Sequence, residues 1–236
     1  MVATFVGFAF MNFLGTPWVA VQDAQSEEAP KKPMLQRVYK AGDKQDYKFT
    51  VVANTPEGDL NISGSYSETV KSILDNGLAE VESKTTNLKM MFGGAETPSG
   101  DDPPAMTYKF DKFGMPTDIK PEDLDPFSAP IMFAQYLPAI EIENPGSFKL
   151  ALKIGDFSID GVAKLIATGR LYEERVAKIE YEFTLTPQEG APGKFQFTTY
   201  LNLFSGKLVK SEGAGTIDDP DAGKMTIKFA VDKVRG

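Results

Sequence analysis

The sequence contains no cysteine and no histidine, and each absence removes a class of chemistry. Without cysteine the chain forms no disulfides and offers no thiolate nucleophile. Without histidine it has no histidine-based triad, and without either residue it lacks the usual zinc ligands. The sequence therefore predicts no metal site and no cofactor, and acidic residues are the only catalytic groups present in quantity.

Basic residues are the minority among the charged ones. The 25 Lys and Arg residues against 33 Asp and Glu give a formal net charge of −8. Affinity for a phosphate backbone comes largely from Lys and Arg, so an acidic chain without a basic patch predicts no nucleic-acid binding. With 42% hydrophobic residues in 236 positions, the chain can nevertheless bury a sizeable core.

The N-terminus carries the longest apolar run and is typical of an export signal. The run covers Val2–Leu14, and Thr16 and Pro17 end it. Small residues at Ala20 and Ala24 offer cleavage points. No Lys or Arg precedes the run, and it is shorter than the roughly 20 apolar residues that span a bilayer. A cleaved signal is the leading interpretation, with an uncleaved anchor or a core segment as alternatives.

This interpretation divides the chain into three parts. Residues 1–24 form the signal peptide, residues 25–33 a polar linker, and residues 34–236 a single domain. The product would be exported to the periplasm or the extracellular space. Contact with a membrane is expected only through an uncleaved N-terminal segment.

The stretch from Gly161 to Val234 alternates apolar and polar residues with a period of two. Side chains on a strand point to opposite faces in turn, so this pattern predicts strands with one buried and one wet face. One wet face is typical of antiparallel sheets. The apolar members of the pattern are Ala177, Ile179, Tyr181, Phe183, Leu185, Phe195, Phe197, Leu201, Leu203, Met225, Ile227, Phe229 and Val231.

Turn signals and one exceptional segment complete the predicted fold. Leu35–Tyr39 is a predicted first strand, and Asp75-Asn76-Gly77 predicts a hairpin with a type I′ turn. A change in the parity of the apolar residues predicts a bulge near residues 84–87. Ser128–Leu137, apolar nearly all round, is the one predicted helix. The fold class is therefore all-β: a curved antiparallel meander, either half-barrel, barrel-like or sandwich, with one short apolar helix.

The apolar face of such a sheet must be covered. Barrel closure, a second layer or the helix would cover it, and so would a lipid or other hydrophobic small molecule. A fully packed core is the alternative to a ligand cavity. The residues predicted to line a cavity are Ile131, Phe133, Leu137, Tyr181, Phe183, Phe197 and Phe229.

Two acidic groups could support chemistry, and both have a simpler interpretation. Glu180 and Glu182 share one face of a strand, as paired glycosidase carboxylates would, but that face is the polar one. The oxygen-rich stretch at residues 218–223 does not match calcium-loop spacing and is interpreted as a turn. A carboxylate-dependent hydrolase is therefore only an alternative.

Several turn and strand motifs carry a family resemblance. They are Lys40-Ala41-Gly42-Asp43-Lys44 with Tyr47-Lys48-Phe49, Asp75-Asn76-Gly77, Asp111-Lys112-Phe113-Gly114-Met115-Pro116 and Phe204-Ser205-Gly206-Lys207-Leu208. With them the chain resembles exported bacterial β-rich proteins of uncharacterised function. More distantly it is similar in outline to periplasmic lipoprotein carriers, which hold acyl chains in an open half-barrel with helices as lid.

The resemblance carries over no catalytic residue. It implies a non-catalytic envelope protein that binds a hydrophobic ligand or a partner on the concave face of its sheet. A structural or assembly module with a packed core and no ligand is the alternative.

Overall fold

The computed structural model describes residues 19–20, 35–97, 102–117, 145–154, 157–187, 190–219 and 223–235. In these ranges the chain forms strands and turns, which confirms the predicted all-β class. The strands are β1 (Val19–Ala20), β2 (Lys44–Thr55), β3 (Gly58–Ile73), β4 (Ala79–Phe92), β5 (Ala95–Thr97), β6 (Met106–Phe110), β7 (Gly146–Ile154), β8 (Phe157–Leu171), β9 (Glu174–Pro187), β10 (Gly193–Asn202), β11 (Leu208–Asp219) and β12 (Gly223–Lys233).

All of these strands belong to one antiparallel sheet. Its central order is β8-β9-β10-β11-β12-β2-β3-β4. β1 and β7 pair with the edge of β8 that faces away from β9, and β5 and β6 pair with the edge of β4 that faces away from β3. The described sheet is open, because its two edges do not pair with each other.

The predicted helix at Ser128–Leu137 and the apolar run at Val2–Leu14 lie outside the described residues. Among the residues that are described, no helix is long and apolar enough to cross a bilayer.

One face of the sheet forms the main core, as the alternation predicts. Tyr181 pairs with Phe197, which in turn pairs with Gly213, and Gly213 pairs with Phe229 on β12. Residues in register on neighbouring strands point to the same side, so these side chains share the inner face. The inner-face residues of β9, β10 and β12 belong to one buried cluster, which β2, β7 and β8 extend.

The predicted strand at Leu35–Tyr39 is wrong. Leu35–Lys40, which we call the strap, has no regular secondary structure and joins no ladder. The amide of Arg37 instead donates to the carbonyl of Lys112 (2.8 Å), and the amide of Val38 donates to the carbonyl of Ser205 (2.9 Å). Leu35 and Arg37 are buried. The strap thus connects two turns and not two strands.

The strap also shows how strongly the sheet curves. Lys112 follows β6 at one side of the sheet, whereas Ser205 lies in the turn between β10 and β11. β12, β2, β3 and β4 lie between these two positions. Adjacent amides of one short segment can reach both turns only if the sheet bends until they approach each other. The predicted curved meander is therefore present, and the strap crosses one end of its concave side.

Local turn chemistry differs from expectation in one place and agrees in another. The hairpin at Asp75-Asn76-Gly77 exists, but only Gly77 has a positive φ (82°) and its amide donates to the carbonyl of Leu74. It is a three-residue loop and not the predicted type I′ turn. The predicted bulge is confirmed at Asn87, which has φ 55° and lies where the β3–β4 register shifts.

Candidate hydrophobic ligand site

Aromatic rings dominate the inner face. The Phe197 and Phe229 ring centroids are 4.3 Å apart with the rings edge to face, and Phe183 contacts Phe197 in the same way at 5.3 Å. Phe195 stacks on Phe183 at 5.7 Å. Such pairs stabilise beyond the area they bury, by about 0.5–1.5 kcal/mol each. The result is one continuous apolar surface across four strands.

Glycines on neighbouring strands make room for these rings. Phe195 pairs with Gly215, Phe197 with Gly213 and Phe183 with Gly161. On β2, Phe49 pairs with Gly64 of β3 in the same way. A Cβ at Gly213 would overlap Cδ1 of Phe197. The rings of Phe49, Phe195 and Phe197 thus reach over positions without a side chain, and the β10 and β12 rings meet across β11.

The structure brings together four of the seven predicted site residues. Tyr181, Phe183, Phe197 and Phe229 lie in the main core cluster, each with 5% or less of its surface exposed. Ile131, Phe133 and Leu137 lie outside the described residues, so their part in the site stays a prediction. The four described residues share one buried apolar cluster, and their part in binding a ligand stays a prediction.

Sequence analysis missed a buried polar cluster on the same inner face. The Tyr66 hydroxyl donates to Oε1 of Glu68 (2.8 Å) and lies 3.1 Å from Oγ of Ser83. The side chain of Arg37 is 6% exposed and interacts electrostatically with Tyr39 and Glu68. The signal was present in the parity, because Glu68 falls in the same alternating set as Tyr66 and Val70. The alternation by itself predicts only apolar side chains on the inner face.

The polar cluster shifts the ionisation of its members. Burial raises the pKa of Tyr47 and Tyr66 well above the usual value, and the negative charge of Glu68 adds to the effect. Burial alone would lower the pKa of Arg37, but Tyr39, Glu68 and Tyr47 outweigh it and raise that pKa. Arg37 is therefore a permanent buried cation beside the apolar surface. The inner face offers an apolar wall with a polar end.

The outer face of the sheet is polar, as predicted. Glu180 accepts a hydrogen bond from Nζ of Lys178 at 2.9 Å, and Glu182 is exposed. A cavity of about 700 Å³ crosses this face over β8 to β12, lined among others by Asp160, Glu182 and Lys194. It is open to solvent and can form hydrogen bonds, but its carboxylates are exposed, whereas a catalytic acid–base pair needs burial.

No metal centre is found in the part of the chain that the structure describes. There, no three Asp or Glu side chains come close enough together to hold an ion.

No protein-family model matches the chain, and no curated protein is significantly similar to it. A solved DUF1329 family protein from Desulfovibrio piger is 11% identical, with a TM-score of 0.22 over 83% of this chain and 87% of the other. A domain from Vibrio parahaemolyticus, assigned to an outer membrane lipoprotein-sorting protein, is 8% identical with the same TM-score over 83% of this chain and 85% of its own.

The distant similarity in outline to lipoprotein carriers that the sequence indicates is thus found. At this TM-score it carries no argument about what the chain binds, so the function is argued from its residues.

Proposed function

We propose that this chain is a non-catalytic, exported envelope protein that binds a hydrophobic ligand on the concave face of its sheet. One observation supports the proposal above others. The inner face presents a connected aromatic surface built from Phe183, Phe195, Phe197 and Phe229. Its side chains are each 5% or less exposed, so a ligand would have to take the place of the groups that now cover them. An acyl chain would gain about 0.8 kcal/mol for each methylene buried there.

The polar cluster sets how an amphipathic ligand would lie. Its apolar part would follow the phenylalanine rings of β9, β10 and β12, which present no hydrogen-bonding groups. Its polar end would lie towards Tyr66 and Glu68, where buried groups can exchange hydrogen bonds with it. A lipid or a comparable hydrophobic small molecule fits this division of the face.

Native mass spectrometry of the full chain purified from its host tests the proposal directly. The expected result is a population carrying a bound lipid, together with saturable binding of a fluorescent fatty acid after delipidation. A protein that carries no lipid and binds no fatty acid would overturn the ligand proposal and favour a structural module with a filled core.

A pair of neighbouring variants locates the site. Phe197→Ala removes a ring from the inner face, whereas Thr198→Ala changes the next residue, which points to the outer face. We expect fatty-acid affinity to change by several-fold in Phe197→Ala and to stay at the wild-type value in Thr198→Ala. Circular dichroism on both variants reports whether the sheet is retained. Equal affinity in both variants would place the ligand elsewhere.

A further inference from the structure

One end of the sheet carries an aromatic side chain held out in solvent. Phe204, in the turn between β10 and β11, is 70% exposed, the largest value among the described large hydrophobic residues. Val38 of the adjacent strap is 45% exposed. Their turn and strap are joined by the hydrogen bond from the Val38 amide to the Ser205 carbonyl. The two apolar groups therefore belong to one surface.

The exposure of Phe204 is imposed by a well-bonded turn. Oδ1 of Asn202 accepts from the amides of Phe204 (2.9 Å) and Ser205 (3.0 Å), and the Gly206 amide donates to the Asn202 carbonyl (2.8 Å). The Leu203 amide donates to the Arg175 carbonyl on β9. The backbone is thus fixed on both sides of the ring. An apolar group presented this way loses little further conformational entropy on docking.

Cations surround this apolar surface. Residues 35–43, 111–115 and 202–207 with Arg175, which we call the turn surface, contain five basic residues, of which Arg37 is buried, and two acidic residues in a chain whose net charge is −8. Cζ of Arg175 lies 5.7 Å from the Phe204 ring centroid, and Nζ of Lys112 lies 5.2 Å from that of Phe113.

Both acidic residues of the turn surface already have partners. Oδ2 of Asp43 accepts from Nζ of Lys207 at 2.7 Å, and Oδ1 of Asp111 accepts from the amides of Phe113 and Met115. The adjoining residues add two carboxylates, the exposed Glu173 and Glu174, which accepts from Nζ of Lys233, and they also add Arg235, which stacks on Tyr172. The exposed charge beside Phe204 is therefore predominantly positive.

We propose that the turn surface docks on a bilayer with anionic head groups. An aromatic ring at the level of the head groups, flanked by Arg and Lys whose stems reach the phosphates, is the usual composition of an interfacial contact. The opposite sign of the remaining chain orients the molecule with this end towards the negative surface. The proposal does not depend on the apolar ligand site, because Phe204, Arg175 and Lys112, on which it rests, are not among the residues proposed to line that site.

Vesicles of phosphatidylcholine, with and without about one third phosphatidylglycerol, provide the test. The probe is an indole placed by Phe204→Trp in the full chain, with Trp18→Phe removing the native indole. Its matched control is Met91→Trp, which replaces a 41% exposed residue in β4 near the opposite end of the sheet. We expect brominated lipid to quench the indole at position 204 and to leave the indole at position 91 unquenched.

Charge reversal supplies the second measurement. Arg175→Glu and Lys112→Glu should each weaken binding to the anionic vesicles by at least about fivefold, since one basic residue near such a surface contributes about that factor. Lys194→Glu changes net charge equally at the other end and should leave binding at the wild-type value.

Any vesicle binding through the N-terminal apolar run is common to all of these variants. The test therefore compares quenching at position 204 with quenching at position 91, and the three charge reversals with one another. Equal quenching at positions 204 and 91, equal effects of the three reversals, or no vesicle binding would each overturn the proposal. None of these results depends on whether a fatty acid binds the inner face.

Discussion

The ring of Phe195 occupies the space above Gly215, its partner across β10 and β11. A Cβ added to Gly215 would overlap Cδ1 of that ring. The same relationship joins Phe197 to Gly213. Two successive inner-face positions of β11 therefore carry no side chain so that two successive rings of β10 can lie flat against the sheet. Replacing either glycine should push a ring into the core.

Gly215→Ala is expected to lower the free energy of unfolding by about 1–3 kcal/mol, the usual cost of overfilling a packed core. Urea denaturation measures the loss. Thr216→Ala, at the adjacent outer-face residue, serves as the control and should change stability by less than about 0.5 kcal/mol. Adding Phe195→Leu to Gly215→Ala should recover part of the loss, because the smaller side chain vacates the space. Simple additivity of the two substitutions would contradict the packing relationship.

Arg37 supports a second prediction, because it is a cation buried beneath the strap. Arg37→Met should destabilise by about 1–3 kcal/mol, since it removes a buried cation that interacts with the partly buried Glu68. Lys40→Met, in the same strap but exposed, should be nearly neutral. The double variant Arg37→Met with Glu68→Gln should be more stable than Arg37→Met alone. A loss in the double variant equal to the sum of the single losses would show that the two side chains act separately.

Alkaline pH should destabilise the fold through Tyr47 and Tyr66. Burial raises the pKa of both hydroxyls, so the folded chain keeps protons that the unfolded chain releases above pH 10 or so. The stabilisation from each is complete below that pH and falls as pH rises further, by about 1.4 kcal/mol per pH unit for each tyrosine. Unfolding free energies measured at a series of alkaline pH values give this slope.

Tyr66→Phe removes one of the two titrating hydroxyls and should therefore reduce that slope by about 1.4 kcal/mol per pH unit. Val51→Ala, a core change without a titrating group, should lower the unfolding free energy equally at every pH and leave the slope unchanged. An identical slope in wild type and Tyr66→Phe would mean that this hydroxyl ionises as readily in the folded chain as in the unfolded one.

Gly206 is the point at which the strap and the β10–β11 turn approach most closely. Its φ is 62°, and a Cβ there would lie 2.5 Å from the carbonyl oxygen of Gln36. Gly42 also has a positive φ (84°) but has nothing within 4 Å of an added Cβ. Gly42→Ala should therefore lower the free energy of unfolding only through backbone strain, by about 1–2 kcal/mol. Gly206→Ala should lower it by more, because the same strain is joined by a clash with Gln36.

Hydrogen exchange separates these two glycine variants more sharply than total stability does. The amide of Val38 should exchange faster in Gly206→Ala and at the wild-type rate in Gly42→Ala, because only the first displaces the strap from Ser205. Equal protection of this amide in both variants would show that the turn does not hold the strap.

The sequence predicted the inner face of β9, β10 and β12 because large apolar side chains there obey a strict period of two. The polar cluster was not predictable in this way. Glu68 and Ser83 break the period, and they find partners inside only in the folded chain: the Tyr66 hydroxyl contacts both, and Arg37 interacts with Glu68. The sequence predicts a strand at the strap because Leu35 and Tyr39 fall at positions of the same parity, as apolar residues on one face of a strand do. Whether amides bond to a ladder or to two separate turns depends on the curvature of the whole sheet, which no local pattern encodes.

The turn from β8 to β9 gave no signal either. Tyr172 and Glu173 both have a positive φ, at 53° and 68°, where glycine or asparagine would be expected. Contacts from distant residues accompany this conformation: the Tyr172 hydroxyl donates to Asp232, and Lys233 bonds Glu174 at 2.6 Å. Such a turn depends on β12 being in place, so local sequence alone could not reveal it.

The pairing of β2 with β12 has a consequence for biosynthesis. Residues matched across this ladder, such as Phe49 and Val231, are about 180 residues apart along the chain. The two halves of the sheet, β2 to β6 and β7 to β12, can each form by local hairpins, but their seam waits for the last strand to be made. The two halves of the sheet therefore cannot join in a nascent chain before β12 has been synthesised.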